Sequence, residues 1–384
     1  MAAMESARRS TRPATGDRPV GSGGRRGART PAETTPEGFG RFSAENPVHS
    51  AFAAVGRTPL LELELSFRGR PRRIYAKAES LNLTGSIKDR MAAWVLADAW
   101  ERGAWRPGHR IVEASSGNTA IALAALGRAQ GSPVRIFMPS WMSSERVKIL
   151  SAFGVDLVRV SEAEGGFVGS VARAAECALR EPDTFLSDQF ANPANVEAHA
   201  CTTGAEIVRQ LDSLGLKADV FVAGVGTGGT IMGVGRALRE RSPRVRVHPL
   251  EPAESPILTQ GVHSGHHRIQ GISDEFIPAV VNLAALDRPV AVHDGDAILA
   301  ARELARQLGL GVGISSGANL IGALLMQEEL GAEAVAVTVF ADSHKKYLST
   351  DLFKEEPAAA DWIAPGLQFH SWRAIPCPAG LPGN

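Results

Sequence analysis

The chain has 384 residues with 41 basic and 41 acidic side chains, so no basic face suited to phosphodiesters is indicated and nucleic acid is not an expected partner. An apolar share of 44% supports a sizeable core in two or three domains, and no apolar run approaches the ~20 residues that a membrane span needs. Cys177, Cys201 and Cys377 lie far apart without a CxxC, which suits a reducing, cytoplasmic setting and argues against disulfides and a zinc site.

Residues 1–45 are rich in Arg, Gly, Pro, Ser and Thr and are expected to form a disordered tail, because they cannot bury enough surface to offset ordering entropy. Glu5, Asp17, Glu33 and Glu37 count against a targeting peptide. From Asn46 on, strand-like runs alternate with helical ones. Residues 110–113 read as a strand and 118–129 as a helix. The pattern repeats at 134–138 with 144–153, and at 157–160 with 168–179. Two helical stretches lie within 195–211. Further strands are expected at 220–223, 245–248 and 334–340, with helices over 297–308 and 318–330 between the last two. Such alternation implies right-handed βαβ units and mainly parallel sheet. The Pro-rich tail, 357–384, is expected to wrap the surface.

The most informative stretch is Thr84-Gly85-Ser86-Ile87-Lys88-Asp89-Arg90, just ahead of an apolar helical pattern. A cation in the first turn of a helix opposes the dipole unless it neutralises something. A lysine that forms a Schiff base with an aldehyde, beside a bound phosphate, removes the conflict. Ser86 and Asp89 also fit a capping box, which would leave Lys88 an ordinary surface residue. The loop Gly224-Val225-Gly226-Thr227-Gly228-Gly229-Thr230 follows a strand and opens a helix, as anion cradles do. Gly224, Gly226 and Gly229, with Glu251 about twenty residues on, also match a dinucleotide fingerprint. That rival, a nucleotide-dependent oxidoreductase, leaves Lys88 and the small polar turn Ser115-Ser116-Gly117-Asn118-Thr119 without a task. A third turn, Gly313–Asn319, offers neutral hydroxyls or a simple helix cap.

Together these segments resemble the fold-type II pyridoxal-phosphate enzymes, in particular the cysteine synthase and cystathionine β-synthase branch. The resemblance covers roughly residues 46–354. Its further motifs are Gly56-Arg57-Thr58-Pro59-Leu60, Gln189–Asn195, Thr202–Ile207, His267–Ile272 and Tyr347–Thr350. It implies an α/β fold like that of the tryptophan synthase β-subunit, with two open, mainly parallel twisted sheets flanked by helices. The large domain would comprise 46–81 and 194–356, and the small one 82–193. Lys88 resembles the Schiff-base lysine and the base acting at Cα. Gly226, Thr227, Gly228, Gly229 and Thr230 resemble the phosphate cradle, and Asn118 the asparagine beside the cofactor's 3′-oxygen. Ser115, Ser116, Thr119, Gln189 and Gly271 resemble the substrate grip, and Ser315, preferred to Ser316, the serine on the pyridine nitrogen.

A neutral serine there suits α,β-elimination better than chemistry through long-lived carbanions. The implied activity is therefore β-replacement on an O-activated L-serine, most simply O-acetylserine plus sulfide giving cysteine. Alternatives are another donor such as O-phosphoserine, an amine acceptor giving a diaminopropionate-type product, cystathionine β-synthase-like replacement, or serine/threonine dehydration. A non-catalytic regulatory partner is a different class of reading. The family also implies a homodimer and a serine acetyltransferase partner. Leu83 and Ala120 depart from the family pattern, and so do Ser273-Asp274-Glu275 and Ala341–Lys346. Asp274 or Glu275 is expected to bias the active-site mouth against anions and toward an amine or larger nucleophile. His263, His266 and His267 read as a polar loop, and no metal is expected.

Overall fold

The computed structural model describes residues 38–115, 117–140, 142, 144–262 and 264–378. Two sheets organise them. In chain order the elements are β1 (Leu60–Phe67), β2 (Arg70–Ala78), α1 (Lys88–Glu101), β3 (Arg110–Ala114), α2 (Asn118–Ala129), β4 (Val134–Pro139) and α3 (Ser144–Ala152). Then come β5 (Asp156–Val160), α4 (Gly166–Arg180), β6 (Thr184–Leu186), α5 (Ala194–Ala198), a π-helical turn (His199–Gly204) and α6 (Ala205–Asp212). The remainder is β7 (Val220–Gly224), α7 (Gly229–Arg241), β8 (Arg246–Pro252), α8 (Ile257–Gln260), β9 (Val290–Val292), α9 (Asp294–Leu308), α10 (Ile314–Leu330), β10 (Ala336–Phe340) and β11 (Leu367–Ile375).

The smaller sheet runs β5-β4-β3-β6 and is parallel throughout. The larger runs β11-β1-β2-β10-β7-β8-β9. It is parallel from β2 to β9, while β1 lies antiparallel to both β2 and β11. Central strands β7 and β10 are apolar on both faces because helices cover both. One face meets α9 and α10 through Leu304, Ile321 and Leu324, and the other meets α6 and α7 through Ile207, Ile231 and Val234. Helices α1 and α2 share a core with the smaller sheet around Trp94, Leu123 and Ile136.

Both terminal expectations need correction where they reach described residues. Residues 38–45 pack rather than trail: Phe39 stacks on Phe52 at 4.3 Å, and Phe42 meets Trp94 edge-on at 4.9 Å. Two aromatic anchors outweigh the polar composition around them. At the other end, residues 367–375 do more than wrap the surface: they form β11 and cover the free edge of β1. The expected tail over 1–37 lies outside the described residues.

Candidate active site

In open parallel sheets, ligands bind beyond the carboxyl ends of strands. Here β3, β6, β7 and β10 run out into the segments that surround one cavity: Ser115–Thr119, Gln189–Phe190, Gly226–Thr227 and Ala341. Four helices, α1, α2, α7 and α10, begin beside it at Lys88, Asn118, Gly229 and Ile314. Their partial positive ends favour an anionic ligand.

Lys88, Asn118, Ser115, Thr119, Gln189, Gly226, Thr227, Gly271 and Ser315 line this cavity together. Gly228 and Thr230 line an adjoining recess that also reaches Lys88 and Ser315. Gly229 lines neither, but a Cβ there would come within 1.9 Å of Asn195 Oδ1, so the start of α7 requires glycine. Likewise, a Cβ on Gly226 would lie 2.3 Å from the Gly271 carbonyl oxygen, and Gly228 has φ +85°. Ser116 lies outside the described residues. Ser315 faces the cavity, whereas the fully buried Ser316 accepts from the Ala341 amide at 3.0 Å.

The capping box expected at Ser86 is not formed. Asp89 does accept the Ser86 amide at 3.3 Å, but Ser86 Oγ has no partner. Asp89 instead takes the Thr84 amide at 2.8 Å and its hydroxyl, tying the loop before α1. Lys88 therefore starts α1 from within a pinned turn. Burial lowers its amine's pKa, nearby Asp342 and Asp274 oppose that, and Lys346 adds to it. A lysine so placed loses its proton readily and becomes a nucleophile.

The polar groups around Lys88 are held by one another. Asn118 Nδ2 donates to Asp342 at 2.7 Å, and Lys346 Nζ donates to Asn118 Oδ1 at 2.8 Å. This leaves one Asn118 hydrogen uncommitted. Tyr347 also donates to Asp342, at 2.6 Å. Thr119 donates to Gln189 Oε1 at 2.6 Å, and Gln189 Nε2 to the Ala114 carbonyl at 2.7 Å. Ser115 Oγ accepts the amides of Gly117 and Ala120, both at 3.2 Å, so its own hydrogen is left for a ligand. Sequence reasoning missed Glu113, which takes the Gln189 amide at 3.0 Å and Ser187 Oγ at 2.6 Å. Burial pushes the Glu113 carboxyl up to about 7 despite these bonds. It also missed the aromatic wall, where Phe190 lies 5.7 Å from Phe167 and 5.0 Å from Phe276. An acidic residue inside a strand was the available signal for Glu113; the aromatics, scattered in sequence, gave none.

The departures from the family pattern reach inward. Asp274 lines the inner cavity with Lys88 as well as the outer chamber, while Glu275 lines only the latter. Burial pushes the Asp274 carboxyl up to about 6, with Lys88 pulling it down and Glu275 up. Ser273, next to it, has φ +54°, a conformation that costs a non-glycine residue about 1–3 kcal/mol. Three contacts hold it there: its amide to the Val225 carbonyl at 2.8 Å, its hydroxyl to the Ser255 carbonyl at 3.0 Å, and its carbonyl to His267 Nε2 at 3.0 Å. The strained Ser273 thus sits beside a carboxylate that lines the inner cavity together with Lys88. The nucleotide rival fails on Glu251, which is buried and caps α8 through the Leu258 amide at 2.6 Å and Thr259.

A family model described as pyridoxal-phosphate dependent enzyme matches residues 51–342. The chain belongs to this family. It is 39% identical over 299 residues to a probable cysteine synthase of Bacillus subtilis, spanning 78% of this chain and 96% of that one. Cysteine synthase B of Campylobacter jejuni is 41% identical over the same shares. Among solved structures, a hydrogen sulfide-producing enzyme from Fusobacterium nucleatum is 50% identical and superposes with a TM-score of 0.83, over 85% of this chain and 99% of that one.

The protein is thus a pyridoxal-phosphate dependent enzyme, and its residues fit that cofactor. The glycine cradle that admits no Cβ suits a phosphate, the lowered Lys88 amine suits covalent attachment, and Ser315, in the same recess, would offer a ring nitrogen a hydroxyl. Bound pyridoxal phosphate supplies an electron sink for charge developing at Cα. Beside it, the free Ser115 hydrogen and the Lys88 amine open onto the same cavity, the first suited to an anionic group and the second to carrying a proton.

Proposed function

We propose that the enzyme catalyses β-replacement on an O-activated L-serine, with O-acetylserine and sulfide giving L-cysteine and acetate as the leading pair. The observation that carries this reading is the Lys88 amine, depressed by burial, opening onto a cavity rimmed by helix N-termini, with a hydroxyl rather than a carboxylate at Ser315. The names of the Bacillus and Campylobacter relatives support it. The test is spectral titration of the holoenzyme with O-acetylserine, O-phosphoserine, serine and threonine. O-Acetylserine is expected to convert the cofactor band. Borohydride reduction followed by peptide mapping should place the pyridoxyl tag on Lys88, and a tag elsewhere or nowhere would overturn the reading.

Asp274 favours a second reading, in which a neutral nucleophile replaces sulfide. Water or an amine must lose a proton as it bonds to Cβ, and a carboxyl with a pKa of about 6 can take it. With L-cysteine as donor and water as acceptor, the products are L-serine and hydrogen sulfide. The name of the Fusobacterium enzyme supports this direction. Sulfide release from L-cysteine alone tests it. A homodimer in the cytoplasm, with a serine acetyltransferase partner, completes the proposal; sedimentation and a binding titration with that acetyltransferase check the two assemblies.

A further inference from the structure

Lys346 belongs to the Ala341–Lys346 segment that departs from the family pattern. It ends the short helical turn His344–Lys346 after β10. That turn is pinned. The Gly313 amide donates to the Asp342 carbonyl at 3.1 Å, the His344 amide to the Gly311 carbonyl at 3.3 Å, and the Tyr347 hydroxyl to the Asp342 carboxylate at 2.6 Å. From it the Lys346 side chain runs past Gly85, where an added Cβ would lie 4.0 Å from Nζ, and ends on Asn118 Oδ1. Among the described residues no carboxylate forms an ion pair with it. Asp342 and Asp89 face it from farther off, and Arg146 and Lys88 are the basic groups nearby. Burial lowers its amine's pKa, the two carboxylates oppose that, and Arg146 adds to it. Withdrawing a cation from water to meet a neutral amide costs free energy that the amide alone does not return.

An amide donates at one end and accepts at the other. An ammonium only donates and a carboxylate only accepts, so Lys346 on Oδ1 and Asp342 on Nδ2 allow Asn118 one way round. Asn118 lines the cavity with Lys88, whereas Lys346 and Asp342 line neither the cavity nor the adjoining recess. The cation therefore reaches a bound ligand through this amide. A positive charge on Oδ1 also makes the uncommitted N–H a stronger donor.

We propose that Lys346 is a positioning residue: it locks Asn118 so that the free amide hydrogen meets the cofactor's 3′-oxygen, and its charge keeps that oxygen ionised. This rests on the reading of Lys88 as the cofactor's attachment point and is independent of donor and acceptor. The cofactor absorbs in the visible when that oxygen is ionised and in the near ultraviolet when it is protonated, so the ratio of the two bands reports the effect without turnover.

The test is the absorption spectrum of the holoenzyme and its variants at neutral pH. Lys346→Met keeps the length of the side chain and removes the charge. Its visible-to-ultraviolet ratio should fall about tenfold, as expected for loss of one charge near a partly buried anion. Lys346→Arg should recover most of that loss. Asn118→Ala should lower the ratio as well, and adding Lys346→Met to it should change little more, because both act through one amide. An unchanged ratio in Lys346→Met would overturn the proposal. So would an equal fall in Lys346→Arg, which would assign the side chain to packing, or an equal effect of Lys346→Met with and without Asn118, which would make the charge act through space. A native ratio in Asn118→Ala overturns it with no change at Lys346. Borohydride mapping separates this proposal from its parent. A tag missing from Lys88 in the unmodified protein sinks the parent reading, whereas a tag on Lys88 with an insensitive ratio sinks this proposal alone.

Discussion

Asp274 and Lys88 face each other across the inner cavity, and burial moves their pKa values toward one another, the acid up and the amine down. Both therefore exchange protons nearer neutral pH than free side chains do. Asp274 can accept a proton only when ionised, so turnover with water or an amine as acceptor should rise with pH through about 6. Asp274→Asn should remove that rise and lower kcat for these acceptors by about 10²–10⁴-fold. Hydrosulfide, already charged, needs no such base and should react nearly as before. Initial rates against pH for both acceptor types check this; equal loss with both would make Asp274 a structural residue.

At the scale of elements, the direction of Lys88 depends on how α1 is anchored. Arg90, two residues on and fully buried, binds Glu79 after β2 and Glu206 on α6, at 2.6 and 2.7 Å. Lys77 joins Glu206 at 2.8 Å. Arg90→Ala would leave the buried Glu79 without a cationic partner and Glu206 with Lys77 alone, and should destabilise the fold by about 3–5 kcal/mol in urea titration. Burial pushes the Glu206 carboxyl up, but Arg90 and Lys77 outweigh it and bring it to about 2. Its folded pKa lies below the unfolded value, so its stabilising contribution is present above about pH 4.5 and fades as pH falls toward 2. Unfolding midpoints across that window should fall in the native protein and much less in Glu206→Gln. The elements around this cluster were legible where chemistry was local. The span expected for α2 and the glycine loop before α7 follow from periodicity and turn residues, whereas α10 begins at Ile314, four residues ahead of the expected start, inside the Gly313–Asn319 segment read as a turn. The Arg90 cluster joins residues more than a hundred positions apart, so no window of sequence contains it. The three-residue strands β6 and β9 are too short to show an alternation.

At the scale of the molecule, the larger sheet is closed on one side by the chain's own end. β1 alternates Leu61, Leu63, Leu65 and Phe67 toward the core with Glu62 and Glu64 on the other face. That pattern describes a strand but not which neighbour covers it, and the Pro-rich composition of the segment after Glu356 concealed the partner. β11 pairs along the whole of β1, with a bulge between Glu64 and Leu65. It also buries Leu367, Phe369 and Ile375, each worth about 1.5–3 kcal/mol. The Ile375 carbonyl accepts from Gln210 at 2.9 Å, which ties the edge to α6. A chain ending at Gly366 would expose β1's unpaired backbone and part of the apolar face behind it. Its urea midpoint should drop by an amount equivalent to several kcal/mol, and light scattering should reveal association at concentrations where the full chain stays dispersed. Lys88 starts α1 at the carboxyl end of β10, where the Ile87 amide donates to the Ala341 carbonyl at 2.9 Å, and β1 and β2 separate β10 from β11, so the truncated protein that remains dispersed should keep its cofactor spectrum. Loss of the spectrum without loss of stability would mean that β11 supports the site directly rather than the sheet.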